Sequence, residues 1–160
     1  MLRTVLAAGA MATAGMAFAE SHADLENGEK AFKRCVACHV VMDDEGTILA
    51  GRRAKSGPNL YGIANRAAGS VDGFRYSKSM VAAGEAGLAW DEEAFVAFVQ
   101  DPTKYLRSYL DDKKARSKMS LKVRKAQDAA DLFAFLSQFG PEPAETAADD
   151  GGDSTTDSSN

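Results

Sequence analysis

The sequence predicts an all-α fold, and three observations carry that expectation. Apolar residues recur at three- and four-residue steps at both ends of the central region. Capped helix starts punctuate its middle, and no strand pair or internal repeat stands out. At the N-terminal end Leu25, Gly28, Ala31, Phe32 and Cys35 share one helical face, and side-chain-free Gly28 lets another helix approach closely. In the middle, Asp91 is a predicted N-cap, with Glu92 and Glu93 in the first turn. That helix runs through Phe95, Phe98 and Val99 to Asp101-Pro102. Shorter helices are expected around Tyr76 to Ala83 and after Pro102. At the far end Ala129, Leu132, Phe133, Phe135, Leu136 and Phe139 repeat the spacing until Gly140-Pro141 stops the helix.

The flanks read differently. Residues 1–19 have the form of a secretory signal: Arg3, an apolar stretch from Val5 to Phe18, and Ala17-Phe18-Ala19 as a cleavage site. The stretch falls short of the ~20 strongly apolar residues that span a bilayer, so an uncleaved anchor is the lesser reading. Residues 141–160 hold six acids and no base, with prolines, glycines and Ser/Thr clusters, and read as a disordered acidic tail. Between them, 20–140 is one domain. Without Arg3 and the tail's six acids, the chain's 19 bases and 23 acids become 18 and 17, so the net −4 belongs to the tail. A long loop from Val40 to Gly57, with Asp43, Asp44, Glu45 and Gly46 at its tip and Arg52, Arg53 and Lys55 on its return, carries no evident chemistry.

The strongest signal is Cys35-Val36-Ala37-Cys38-His39. Two thiols three residues apart on a helical turn face the same way, and an imidazole follows directly. This suits covalent haem attachment, in which the thiols add to the vinyl groups and His39 reaches the iron. A redox dithiol wants a βαβ context, and a zinc site wants four ligands. Apart from these three residues the chain offers only His22, and no further cysteine for a disulfide framework. Export agrees with the chemistry, because haem of this type is attached outside the cytoplasm.

A second axial ligand has few candidates. His22 lies near the mature N-terminus, and Met42 is only three residues from His39. Met80 sits on an apolar helical stripe, the usual place of a core methionine. Met119 lies in the polar, irregular run Ser117-Lys118-Met119-Ser120-Leu121, where spacing favours it as ligand and an exposed surface methionine is the alternative.

Beyond the pentapeptide, the chain resembles the class I cytochromes c, and among them the long-insert periplasmic carriers of the c2 and c-550 type. The resemblance covers nearly all of Asp24 to Phe139. It rests on Gly28-x-x-x-Phe32, the run Lys55-Ser56-Gly57-Pro58-Asn59-Leu60-Tyr61-Gly62, Gly87-Leu88-Ala89-Trp90, Asp101-Pro102-Thr103-Lys104-Tyr105, Lys118-Met119 and Leu132-x-x-Phe135-Leu136. It implies terminal helices crossed at Gly28/Phe32 and Leu132/Phe135 round one covalent haem c, with His39 and Met119 on the iron. It also implies that the Pro58 carbonyl accepts from His39, and that Arg66, Tyr76, Trp90 and Ser117 hold the haem propionates. Leu121 stands where an aromatic often lines the haem edge. Two departures are visible: Asn65 replaces a common glycine, and Phe98 replaces a tyrosine whose hydroxyl contacts the methionine sulfur.

The function implied is a monomeric periplasmic one-electron carrier, not an enzyme. Iron closed on both faces leaves no position for a substrate, and a soft thioether with burial favours the ferrous state. Donor and acceptors would be a cytochrome bc complex and a photosynthetic reaction centre, terminal oxidase or denitrification enzyme. From Lys104 to Lys125 nine bases face two acids, and with Lys30, Lys33 and Lys55 they are expected to guide acidic partners to the haem edge. Too few aromatics interleave them for nucleic acid. The competing reading is a haem sensor or enzyme whose Met119 dissociates.

Overall fold

Four of the five helices among the described residues begin where a short polar side chain accepts from a free backbone N–H group of the first turn. In the computed structural model, which describes residues 23–141, Asp24 accepts from Asn27 N at 2.9 Å and starts α1 (Leu25–Phe32). Ser77 caps α2 (Lys78–Glu85), Asp91 caps α3 (Glu92–Gln100), and Asp101 caps α4 (Pro102–Tyr109), each accepting from an N–H three residues on. Pro102 opens α4, where its missing N–H costs nothing. The last helix is α5 (Ala126–Ser137). The predicted signal segment, His22 and nearly all of the predicted acidic tail lie outside the described residues.

Helices α1 and α5 cross at Gly28. A Cβ there would strike the Asp131 carbonyl oxygen and lie 2.7 Å from Phe135 Cβ, so only glycine permits this approach. Phe32 and Phe135 meet at 5.7 Å between ring centroids. Phe95 on α3 packs on Phe133 at 5.2 Å, and Phe98 meets Tyr105 of α4 at 6.0 Å. Leu106, Leu132 and Leu136 are fully buried between these elements. Asn65 takes the left-handed conformation, φ 60°, which asparagine tolerates in place of glycine.

Two expectations need correction. The Cys35–His39 stretch is not the last turn of α1. The helix ends at Phe32, and Cys35 N–Phe32 O (2.7 Å) and Cys38 N–Cys35 O (3.0 Å) continue it as tight three-residue turns. The long loop also contains a strand pair. Val40–Met42 (β1) runs antiparallel to Ile48–Gly51 (β2), with a bulge between Val41 and Met42. Val40 and Val41 are buried, while Ile48 and Leu49 are 37% and 42% exposed, so only one strand is anchored in the core. Asp43 closes the turn, its carboxylate accepting from Thr47 N at 2.7 Å.

Between α4 and α5, residues 110–125 form neither helix nor strand. Buried Ala115 and Val123 pin this span at two points, the latter through Val123 N–Val99 O at 2.9 Å.

Candidate functional site

The turns after α1, the Ser56–Leu60 run, α2, α3, the 110–125 span and α5 surround one cavity of about 390 Å³. All nine residues singled out from the sequence line it: Cys35, Cys38, His39, Pro58, Arg66, Tyr76, Trp90, Ser117 and Met119. Leu60, Ile63, Phe95, Phe98, Val99, Leu132 and Leu136 supply apolar walls.

His39 is held from two sides. Its Nδ1 lies 2.9 Å from the Pro58 carbonyl oxygen, which fixes Nδ1 as the protonated nitrogen and leaves Nε2 as the lone-pair donor. Gly57 lies flat against the ring, where a Cβ would fall 2.5 Å from Cε1. Gly57 N donates to the Cys38 carbonyl at 2.7 Å, tying this run to the cysteine turns. Burial pulls the imidazole below its ordinary pKa, partly offset by the Pro58 carbonyl, so the ring is neutral at neutral pH and able to bind a metal. Cys35 is buried and Cys38 exposed; burial pushes the Cys35 thiol up to about 11.

Arg66 spends two of its five N–H donors inside the fold, on the Tyr61 carbonyl (2.6 Å) and the Asn59 carbonyl (3.0 Å), which leaves three for a ligand. Burial raises the Tyr76 phenol above its ordinary value, so it remains a hydroxyl donor. Trp90 is buried with its ring centroid 4.9 Å from that of Phe98. Ser117 Oγ accepts from Met119 N at 3.0 Å and keeps its own O–H to donate.

Several residues that sequence reasoning passed over also matter here. Met80 fills the core as expected, yet it lines the same cavity. Arg34 borders it too and donates to the Lys122 carbonyl at 3.1 Å, across the base of the Met119 span. Asn59 accepts from Met42 N and Tyr61 N and donates to Met42 O, joining β1 to the segment that carries Pro58. Its place directly after Gly-Pro was the available signal, because asparagine side chains commonly stabilise turns there.

Two thiols, an imidazole and a thioether opening on one apolar-walled cavity, with guanidinium, phenol, indole and hydroxyl donors at hand, fit a covalently bound haem with its two carboxylates. Crossed terminal helices round that cavity define a class I c-type cytochrome.

No protein-family model matches the chain. Individual relatives do. It is 58% identical over 117 residues to cytochrome c2 of Rhodovulum adriaticum, covering 73% of this chain and 93% of that protein. Cytochrome c-550 of Paracoccus denitrificans is 36% identical over 141 residues, 87% of this chain and 89% of that protein. Among solved structures, cytochrome c2 from Rhodobacter sphaeroides superposes with a TM-score of 0.73 at 51% identity, covering 76% of this chain and all of the other. The chain belongs to the cytochrome c2 family. It carries one covalent haem c and is an electron carrier, not an enzyme.

Proposed function

We propose that the chain is a periplasmic one-electron carrier, with Cys35 and Cys38 bound to the haem and His39 and Met119 on its iron. It takes electrons from a cytochrome bc complex and passes them to a reaction centre, terminal oxidase or denitrification enzyme. Residues 1–19 act as its export signal and 141–160 as an acidic tail. The observation that carries the reading is the pairing of His39, fixed by Pro58 at 2.9 Å, with Met119 on the wall of the same cavity.

The haem, when bound, supplies an iron that gains or loses one electron. The chain does the rest. His39 presents Nε2 in a defined tautomer, and the Met119 sulfur favours the reduced metal. The apolar walls keep water from the iron and disfavour the extra positive charge of the oxidised state. Arg66, Tyr76, Trp90 and Ser117 supply the donors that two partly buried carboxylates need.

Docking is supported by the exposed Lys104, Lys113, Lys114, Arg116, Lys118, Lys122, Arg124 and Lys125 around the Met119 span, of which Lys122 is paired with Asp101 at 2.7 Å. Lys30 is paired as well, with Glu26 at 2.7 Å on α1. Such a surface steers acidic partners into short-lived, salt-sensitive complexes. Among the described residues no helix is long and apolar enough to cross a membrane.

The test is the near-infrared spectrum of the ferric holoprotein. The weak sulfur-to-iron charge-transfer band should be present at neutral pH and absent in Met119→Ala. A native protein without that band, whose ferrous form binds carbon monoxide readily, would favour a sensor or enzyme with a labile methionine.

A further inference from the structure

We propose that two hydroxyls, Ser79 on α2 and Thr103 on α4, pin the Met119 span and set how readily its sulfur leaves the iron; this rests on Met119 being the ligand. The span needs such support. Ala115 and Val123 are its buried anchors, and between them most residues face solvent. Among the described residues, 116–122 make no backbone-to-backbone hydrogen bond at all. Their order comes instead from side chains. Arg116 N donates to Ser79 Oγ at 3.0 Å, Ser117 N to Thr103 Oγ1 at 3.3 Å, and Met119 N to Ser117 Oγ at 3.0 Å.

The first two bonds differ in kind from the third. Ser117 moves with the span and cannot fix its position, whereas Ser79 and Thr103 belong to separate helices. Both hydroxyls sit one carbon from their backbones, and the β-branched Thr103 is further restricted at χ1. The other tethers are Lys118 Nζ to the Arg75 carbonyl at 2.6 Å, Lys122 Nζ to Asp101 at 2.7 Å and Arg34 to the Lys122 carbonyl at 3.1 Å. All are exposed and ride on long flexible side chains, so water competes with them more easily. Helices α2 and α4 are themselves joined by Tyr109 Oη, which donates to the Ala86 carbonyl at 3.4 Å. The two pins therefore hang the span from a connected frame. With one removed, the state in which Met119 has swung away gains population by the value of one hydrogen bond.

Imidazole is a suitable probe, because it binds the iron only when the sulfur has left and its apparent affinity scales with that open fraction. In ferric holoprotein, Ser79→Ala and Thr103→Val should each raise imidazole affinity about threefold to tenfold. Thr103→Ser, which keeps the hydroxyl, should return it to the native value. A lowered unfolding midpoint with unchanged imidazole affinity would assign these residues a merely structural role and overturn the proposal. Native protein lacking the sulfur-to-iron band would instead remove the ligand reading beneath it, and the two failures are thereby distinct.

Discussion

Asn27 Nδ2 donates to Asp131 Oδ2 across 2.6 Å, joining α1 to α5 through a carboxylate that is 1% exposed. Asp24 N and Gln127 Nε2 donate to its other oxygen at 3.0 and 2.8 Å, and no base takes part. The site is shallow, since its partner Asp24 is itself exposed. Desolvation pushes the Asp131 carboxyl up, but the three donors outweigh it and hold the group below the usual carboxylate range. The unfolded chain therefore binds this proton more readily than the folded one. The stability it contributes is present above about pH 4, the ordinary carboxylate value, and is lost as pH falls through the lower folded one. Asp131→Asn should destabilise the holoprotein at pH 7 by about 1–3 kcal/mol, and the difference should shrink in acid. Urea titrations at pH 7 and pH 3 decide it; equal differences at both would remove the carboxylate from the account.

Gly28→Ala sets two effects against each other. Alanine favours a helix interior over glycine by about 1 kcal/mol. Its methyl, however, would meet the Asp131 carbonyl oxygen and Phe135 Cβ, and neither is the free end of a flexible chain. The clash should win, with a net loss of about 1–2 kcal/mol as α1 and α5 move apart. Thermal unfolding followed by far-ultraviolet dichroism gives the sign, and a raised midpoint would contradict it.

Gly57→Ala should act on the site more than on the fold. A methyl within 2.5 to 2.8 Å of three ring atoms must tilt His39 away from Pro58. With His39 as the proposed ligand, losing that hydrogen bond weakens the imidazole as a donor to iron. The reduction potential should shift while helix content stays the same; potentiometry and dichroism on one sample separate the two.

Phe98 lines the cavity and is 6% exposed, between Trp90 and Tyr105. With Met119 as the proposed ligand, the hydroxyl introduced by Phe98→Tyr should donate to its sulfur, as the resemblance to the class I cytochromes c implies, withdrawing electron density from the iron and raising the potential. An unchanged potential would mean that the hydroxyl finds another partner and that this departure from the family pattern is silent.

Charge reversal at exposed Lys113 and Lys114 should slow electron transfer with an acidic partner severalfold at low salt, with rates converging on native at high salt. Stopped-flow kinetics across ionic strength provides the measurement; a rate ratio independent of salt would rule out steering by these residues.

Much of this was readable beforehand because it rests on local chemistry. Asp91 and Asp101-Pro102 mark helix starts by the N–H groups they accept from or do without, and the Cys35–His39 spacing is itself the chemistry. Other features depend on contacts distant in sequence. Strands of three and four residues show no period that could be told from loop, so β1 and β2 are recognised only by their backbone pairing across the turn. The burial of Asp131 leaves no mark in the sequence, because two of its three donors, Asp24 N and Asn27 Nδ2, lie about a hundred residues upstream. Met80 was legible as core, but not as core facing the cavity.

Lys118 immediately precedes Met119, and its ammonium reaches the Arg75 carbonyl while its neighbours form the basic face. With Met119 as the proposed ligand, one short stretch of chain both greets the partner and tunes the metal. Recognition and redox poise then cannot drift independently: a substitution that suits a new partner also perturbs the sulfur. Change across 116–122 should accordingly come as compensated pairs, one altering the surface and another restoring the bond behind it.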